Sequence, residues 1–412
     1  MAYQFHELPN GIRIIYSPSH SRVAHLGVYI NAGSRDEGPE EHGIAHFIEH
    51  MAFKGTTRRK SFHILNRLDT VGGDLNAFTT KEHTCLYASF LSEYTARAIE
   101  LFSDIILNST FPQKELSREK SIILDEINSY KDSPSESIFD DFEELIYPNH
   151  PIGRNILGAP ESLELITRSQ IMRFIYRNYS ASETAIAYIG ALPFKRVVLL
   201  LEKFFCGMNS NHLNRQRISV EGYNPVTLTV DKETHQTHVM LGTVAYPFTD
   251  PRKRTFQLIN NMLGGPGSNS RLNLALRERR GYTYHVESNY QSYSDTGHFT
   301  IYMGTTSSDP KSTIKLAFKE LDLLRKATLG TLQLHRAKKQ LAGQIALAYE
   351  SKVNEMLSIG RKHLYHLETA PIEQIIAGVE AITASEILEV ANEILVPEKF
   401  SILIYQSQED DE

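Results

Sequence analysis

The order of elements readable in residues 3–205 returns in residues 226–405, and this repetition constrains the fold of the 412-residue chain more than any other feature. In the first half, Asn10-Gly11 is a hairpin signal between strand-like runs at 3–8 and 12–16, and 23–31 alternates as a third strand. Helices are expected near 41–55 and 61–71, then a hairpin with arms at 74–80 and 84–90, then paired helices at 92–107 and 113–130. Helices at 135–146 and 169–176, a strand at 184–190 and a helix at 195–205 complete that half. The second half follows the same outline: strands at 226–231 and 237–246, a helix at 252–263, a further helix, strands at 284–293 and 297–305, and paired helices at 310–328 and 331–350. A helix at 384–394 and a strand at 401–405 close it. Periodicity fades in the polar run between Gly207 and Tyr223, so the expected division is 1–209, a linker at 210–223, and 224–412. Each half reads as α+β, a largely antiparallel sheet with helices packed on it.

Composition narrows the function. A net charge of −6 argues against a nucleic-acid binder. No apolar run reaches the ~18 residues of a membrane span, and the N-terminus lacks a signal-peptide pattern, so a cytoplasmic protein is expected. Cys85 and Cys206 are far apart and suggest neither a disulfide nor a thiolate metal site. Asp410-Asp411-Glu412 reads as a disordered acidic tail.

The chemistry concentrates in the opening helix, which contains His46-x-x-Glu49-His50. Pro39, Glu40 and Glu41 suit its start and Gly55 its end. Ile44, Phe47, Ile48 and Met51 form an apolar stripe; His46, Glu49, His50 and Phe53 fall on nearly the opposite side, with His42. Two His at i and i+4 can close on one metal ion, although any surface helix also opposes a polar to an apolar stripe. A catalytic zinc takes three protein ligands. The helix at 113–130 offers Glu115, Glu119, Asp125 and Glu126, and Glu119 and Glu126 lie about 20° apart on one face. That face reads either as a source of the third ligand or as an exposed acidic surface.

His46-x-x-Glu49-His50, followed by Glu119-x6-Glu126, resembles the signature of the inverzincins, the pitrilysin- and insulinase-type zinc metallopeptidases. The resemblance extends to Gly72-Gly73-Asp74-Leu75-Asn76-Ala77-Phe78-Thr79, to Ser270-Arg271-Leu272 and to Arg277 through Tyr284, and the two-half layout is similar to the processing-peptidase branch. It implies two α+β halves closing as a clamshell and one Zn²⁺ per chain held by His46, His50 and Glu126. It also implies Glu49 as general base, Glu119 in a supporting role near the metal, Tyr284 as donor to a developing oxyanion, and Arg277 on the substrate carbonyl. Asn76, Ala77 and Phe78 would form an edge to which an extended peptide adds as a strand, or simply an ordinary hairpin arm. His42 has no matching role and reads as a surface or bridging side chain.

The implied activity is endopeptidase action on unfolded peptides or flexible termini, by a homodimer or a heterodimer with a related subunit. Manganese or cobalt would suit the ligands as well as zinc. A non-catalytic core subunit of the same fold, or a metal-bound peptide-binding module without turnover, are the alternatives. The second half offers no ligands where the repeat would place them, in Phe256–Met262 and Lys339–Gln344, so it should bind no catalytic metal. Its Gly264-Gly265-Pro266-Gly267 stretch lacks the Gly-Lys-Ser/Thr end of a phosphate loop and reads as a turn.

Overall fold

A computed structural model describes residues 3–210, 217–305 and 310–407; residues 211–216 of the expected linker and the acidic tail lie outside the described residues. The chain divides into two compact units. Unit 1 comprises Met1–Asn128, Arg154–Arg217 and Leu347–Pro371, and unit 2 comprises Ser129–Gly153, Ile218–Ala346 and Ile372–Glu412.

Unit 1 is built on strands β1 (Gln4–Glu7), β2 (Arg13–Pro18), β3 (Val23–Ile30), β4 (Asp74–Thr79), β5 (Thr84–Leu91) and β6 (Thr184–Gly190), in the order β1-β2-β6-β3-β5-β4. β1 and β2 form the expected hairpin, and Gly11 takes the positive φ (+95°) that its turn requires. β2 and β3 do not pair, as their adjacency in sequence would suggest. β6 lies between them, parallel to β2 and antiparallel to β3. Fully buried β6 (Thr-Ala-Ile-Ala-Tyr-Ile-Gly) can take a central place that the more polar β1 cannot.

Unit 2 has β7 (Thr227–Lys232), β8 (Thr237–Ala245), β9 (Thr283–Ser292), β10 (Gly297–Thr305) and β11 (Ser401–Ser407), in the order β7-β11-β8-β10-β9. The pair β7/β11 is parallel and the other contacts are antiparallel, which reproduces β2-β6-β3-β5-β4 strand for strand. The two halves are therefore homologous in topology, each largely antiparallel with one parallel pair.

Each sheet is covered on both faces, and the second cover is contributed by the other half of the sequence. In unit 1 one face packs Leu26, Val28, Leu86 and Phe90 against the helices Thr95–Asn108 and Phe194–Phe205. The opposite face buries Ile15, Tyr29 and Cys85 under Met356, Ile359 and Leu364 of the helix Lys352–Leu364. In unit 2, Phe256, Ile259, Leu321 and Val390 cover one face, and Ile138, Phe142 and Ile146 of the helix Pro134–Ile146 cover the other, over Met240, Tyr302 and Tyr405. A glycine in the central strand admits each crossing helix. A Cβ on Gly27 of β3 would meet Met356 Sδ at 2.5 Å, and one on Gly242 of β8 would meet Phe142 Cε1 at 2.5 Å. The units thus differ from the contiguous division at 210–223 by this exchange of helices.

Among the described residues two longer helices were not anticipated, Lys352–Leu364 and Ile372–Ala381, and neither was the short helix Pro160–Leu165. Ser358 and Gly360 weaken the helical signal of the first, whose fully buried apolar residues are only Met356, Ile359 and Leu364. No helix among the described residues is long and apolar enough to cross a membrane.

Candidate metal centre

The helix bearing the motif is short, Ile44–Met51, and its anchoring comes from its surroundings. Ile44, Phe47, Ile48 and Met51 are all buried, in one cluster with Leu116, Ile123 and Ile127 of the helix Gln113–Lys131 and with Ile171 and Phe174. At the helix start, Gly43 has φ +91° and its backbone presses on Gly158, where a Cβ would lie 2.8 Å from Gly158 Cα.

Glu37, not Glu40 or Glu41, satisfies the first turn. Its carboxylate accepts from Gly43 N–H at 3.0 Å and Ala45 N–H at 2.9 Å. Burial pushes Glu37 up to about 8 against those donors and the charge of Arg154. Glu41 instead accepts from Gly38 N–H and pairs with Arg177 at 2.5 Å. Sequence spacing pointed to the nearer glutamates because the loop that returns Glu37 to the helix start is a tertiary feature.

On the opposite helix face His46 and His50 stand with ring centroids 4.6 Å apart. The neighbouring helix Gln113–Lys131 brings Glu126 to them: its Oε2 is 3.5 Å from His50 Nε2 and 4.0 Å from His46 Nε2. Ligand atoms of these three residues lie within 4.8 Å of one another, the one such group among the described residues. A tetrahedral ion with bonds near 2.0–2.2 Å separates its donors by roughly 3.3–3.6 Å; the His50–Glu126 pair already stands at that spacing, and the wider set, within 4.8 Å, has to close by about 1 Å to hold zinc. The apolar residues between Glu119 and Glu126 explain the mixed face: Ile123 is buried while Ile122 is exposed.

Burial and neighbouring charge set the protonation of these groups differently. Burial, reinforced by the charge of His50, drives His46 down to about 4, which keeps it neutral near pH 7. For His50 burial works in the opposite direction to the outcome, and bonds to Glu126 and Glu119 raise it above the ordinary imidazole value. The His50 bond holds Glu126 below the usual carboxylate range despite burial. Burial raises Glu49, opposed by Thr79, whose hydroxyl and N–H face its carboxyl.

Glu119 lies behind the ligands and is 2% exposed. Its Oε2 is 3.3 Å from His50 Nδ1, the nitrogen turned away from Glu126, and its Oε1 is 2.7 Å from Lys54 Nζ. His42 stands outside the group, with Nε2 2.9 Å from the carbonyl oxygen of Asn155. Glu37 carried no signal in the linear pattern, Thr79 appeared only as the end of the Gly72–Thr79 stretch with no role of its own, and Lys54 stood out only by its position four residues after His50.

Asn76, Ala77 and Phe78 lie on β4, which packs against the motif helix and forms the outer edge of its sheet, paired only with β5 among the described residues. The Phe78 ring turns to the other face, against His83 and Tyr87. In unit 2, Arg277 lies on the π-helical turn Asn273–Glu278 and Tyr284 on β9, 68% exposed. Both line a cleft of about 710 Å³ with Arg254, Gln257 and the Gly264–Gly267 stretch.

The sequence matches two domain families: Insulinase (Peptidase family M16) over residues 13–160 and Peptidase M16 inactive domain over 165–341. An uncharacterized zinc protease of Bacillus subtilis is 32% identical over 400 residues, 97% of each chain. Another, of Rickettsia felis, is 33% identical over 401 residues, 95% of each chain. Among solved structures, a peptidase M16 inactive domain from Pseudomonas fluorescens superposes with a TM-score of 0.93 at 22% identity, covering 99% of this chain and 98% of that one. A protease from Helicobacter pylori gives 0.90 at 19% identity, covering 98% and 99%. With both halves matched and relatives aligned nearly end to end, the chain belongs to the insulinase family, peptidase family M16.

Proposed function

We propose that this chain is a zinc-dependent endopeptidase that hydrolyses extended, unfolded peptide segments. The observation that carries the reading is the convergence of His46, His50 and Glu126 from two helices, with Glu49 one residue from His50 on the same helix. His46, His50 and Glu126 would hold the zinc. When bound, the ion supplies a Lewis acid that brings water toward a pKa of ~7 and polarises the scissile carbonyl.

The remaining work falls to the chain's own side chains. Glu49 accepts the proton of the attacking water and returns it to the departing amine as the C–N bond breaks; burial raises its proton affinity toward the range that suits both transfers. Thr79 stands beside its carboxyl and offsets part of that rise, and the edge of β4 offers N–H and C=O groups to an extended backbone. Tyr284 and Arg277 belong to the same reading as groups that contact substrate. Pairing with a second copy or a related subunit belongs to it as well.

The test is cleavage of a quenched fluorescent peptide by protein of measured zinc content. Wild type should turn over, lose activity to a chelator and regain it with zinc. Glu49→Gln should keep its zinc and lose activity by at least about a hundredfold. Tyr284→Phe and Arg277→Ala should lower turnover with zinc content unchanged. Equal turnover by wild type and zinc-loaded Glu49→Gln would refute the assignment of the base.

A further inference from the structure

We infer that Lys54 is a positioning residue for the metal centre, acting through Glu119 on His50. This rests on the metal-site reading above. His50 has two ring nitrogens with different tasks: Nε2 faces Glu126 at 3.5 Å, and Nδ1 faces Glu119 Oε2 at 3.3 Å. An imidazole that ligates through Nε2 carries its proton on Nδ1, and the acceptor at Nδ1 sets both tautomer and ring orientation.

Glu119 is a demanding acceptor to keep in place. Its side chain is 2% exposed, and a carboxylate so far from water needs compensation at both oxygens. The second oxygen meets Lys54 Nζ at 2.7 Å, and Lys54 is itself three-quarters buried, with 26% of its side chain exposed. Lys54 follows the motif helix directly, its N–H donating to Met51 O at 3.1 Å, so its backbone is tied to the element that carries His50. The cation thus closes a loop from the motif helix, across to Glu119 on the helix Gln113–Lys131, and back to His50. That loop also fixes the register of the two helices that supply the three ligands. Without the ammonium, Glu119 Oε1 loses its counter-charge, the carboxylate is free to rotate, and the His50 ring loses its hold.

The experiment compares wild type, Lys54→Met, Lys54→Arg, Glu119→Gln and Lys54→Met/Glu119→Gln. Zinc dissociation constants are read by competition with a chromophoric chelator. The visible spectrum of the cobalt-substituted protein reports the ligand field, and the thermal midpoint of the metal-free protein reports folding. Lys54→Met should weaken zinc binding about tenfold, the scale of lost outer-sphere support, and should alter the cobalt spectrum. The metal-free midpoint should stay near wild type, and Lys54→Arg should restore most of the affinity. In the Glu119→Gln background, Lys54→Met should cost little more. Wild-type zinc affinity and cobalt spectrum in Lys54→Met would overturn the inference, as would a tenfold loss that persists in full without Glu119. If wild type binds zinc but cleaves no peptide, the peptidase reading fails while these affinities still decide the role of Lys54. A wild type with no zinc site overturns both.

Discussion

Replacing Gly360 by alanine tests whether the helix Lys352–Leu364 is a fitted part of unit 1. Judged on local propensity, the change should stabilise, since alanine exceeds glycine in a helix interior by about 1 kcal/mol. The structure reverses the sign. The new methyl would lie 2.2 Å from Tyr29 Cε2 and 2.7 Å from Cζ, where carbon–carbon contact needs about 3.5–4.0 Å. Tyr29 cannot yield cheaply: it is fully buried, its hydroxyl donates to Leu357 O at 3.1 Å, and Met356 occupies the neighbouring space over Gly27. Overpacking costs about 1–3 kcal/mol and loss of the tyrosine hydrogen bond about 1 more. Against the propensity gain, a net destabilisation of about 1–3 kcal/mol follows.

Gly343 supplies the control, because it sits within the helix Thr331–Glu350 with nothing within 4 Å of an added Cβ. Gly343→Ala should therefore stabilise. The assay is thermal unfolding by circular dichroism with and without zinc, and the transition that zinc moves reports unit 1. Gly360→Ala should lower that transition and Gly343→Ala should lower none. A Gly360→Ala protein that melts at or above wild type would refute the packing argument.

Further expectations concern charge and backbone at the site. At pH 6 metal-free His50 sits below its raised pKa and holds a proton, whereas His46 is driven to about 4 and Glu126 is held low. Zinc binding should then release about one proton, measurable by calorimetry in buffers of different ionisation enthalpy; release of two would contradict it. Glu37 has a folded-state pKa of about 8, above its ordinary 4.5, so the folded state binds the extra proton between those values. Its contribution should decline as pH rises through that window, by at most about 5 kcal/mol. Glu37→Gln should flatten the stability–pH profile there, and identical slopes in the two proteins would rule the effect out. Gly43→Ala should cost several kcal/mol, since it combines a left-handed backbone with a 2.8 Å clash, and should lower zinc retention; wild-type zinc affinity in this variant would show that the helix start can shift freely.

What could be read from the linear chain was what local periodicity and short-range spacing encode. His46, Glu49 and His50 share a face because a helix turns 100° per residue, and Ile44, Phe47, Ile48 and Met51 bury together for the same reason. Glu119 and Glu126 were candidates on one face by the same arithmetic, and the repeated outline anticipated two α+β halves, each with its own largely antiparallel sheet. Only the tertiary structure decided the rest. The choice of Glu126 to face both imidazoles, and of Glu119 to face Nδ1, depends on how two helices pack, which no spacing within either helix contains. The insertion of β6 between β2 and β3, Glu37 at the motif helix start and Lys54 on Glu119 arise from segments that meet only after the chain closes on itself. The helix Lys352–Leu364 is the clearest case. Its glycine and serine lower its local signal, and its place over Gly27 and Tyr29 is fixed by steric fit with residues more than three hundred positions away.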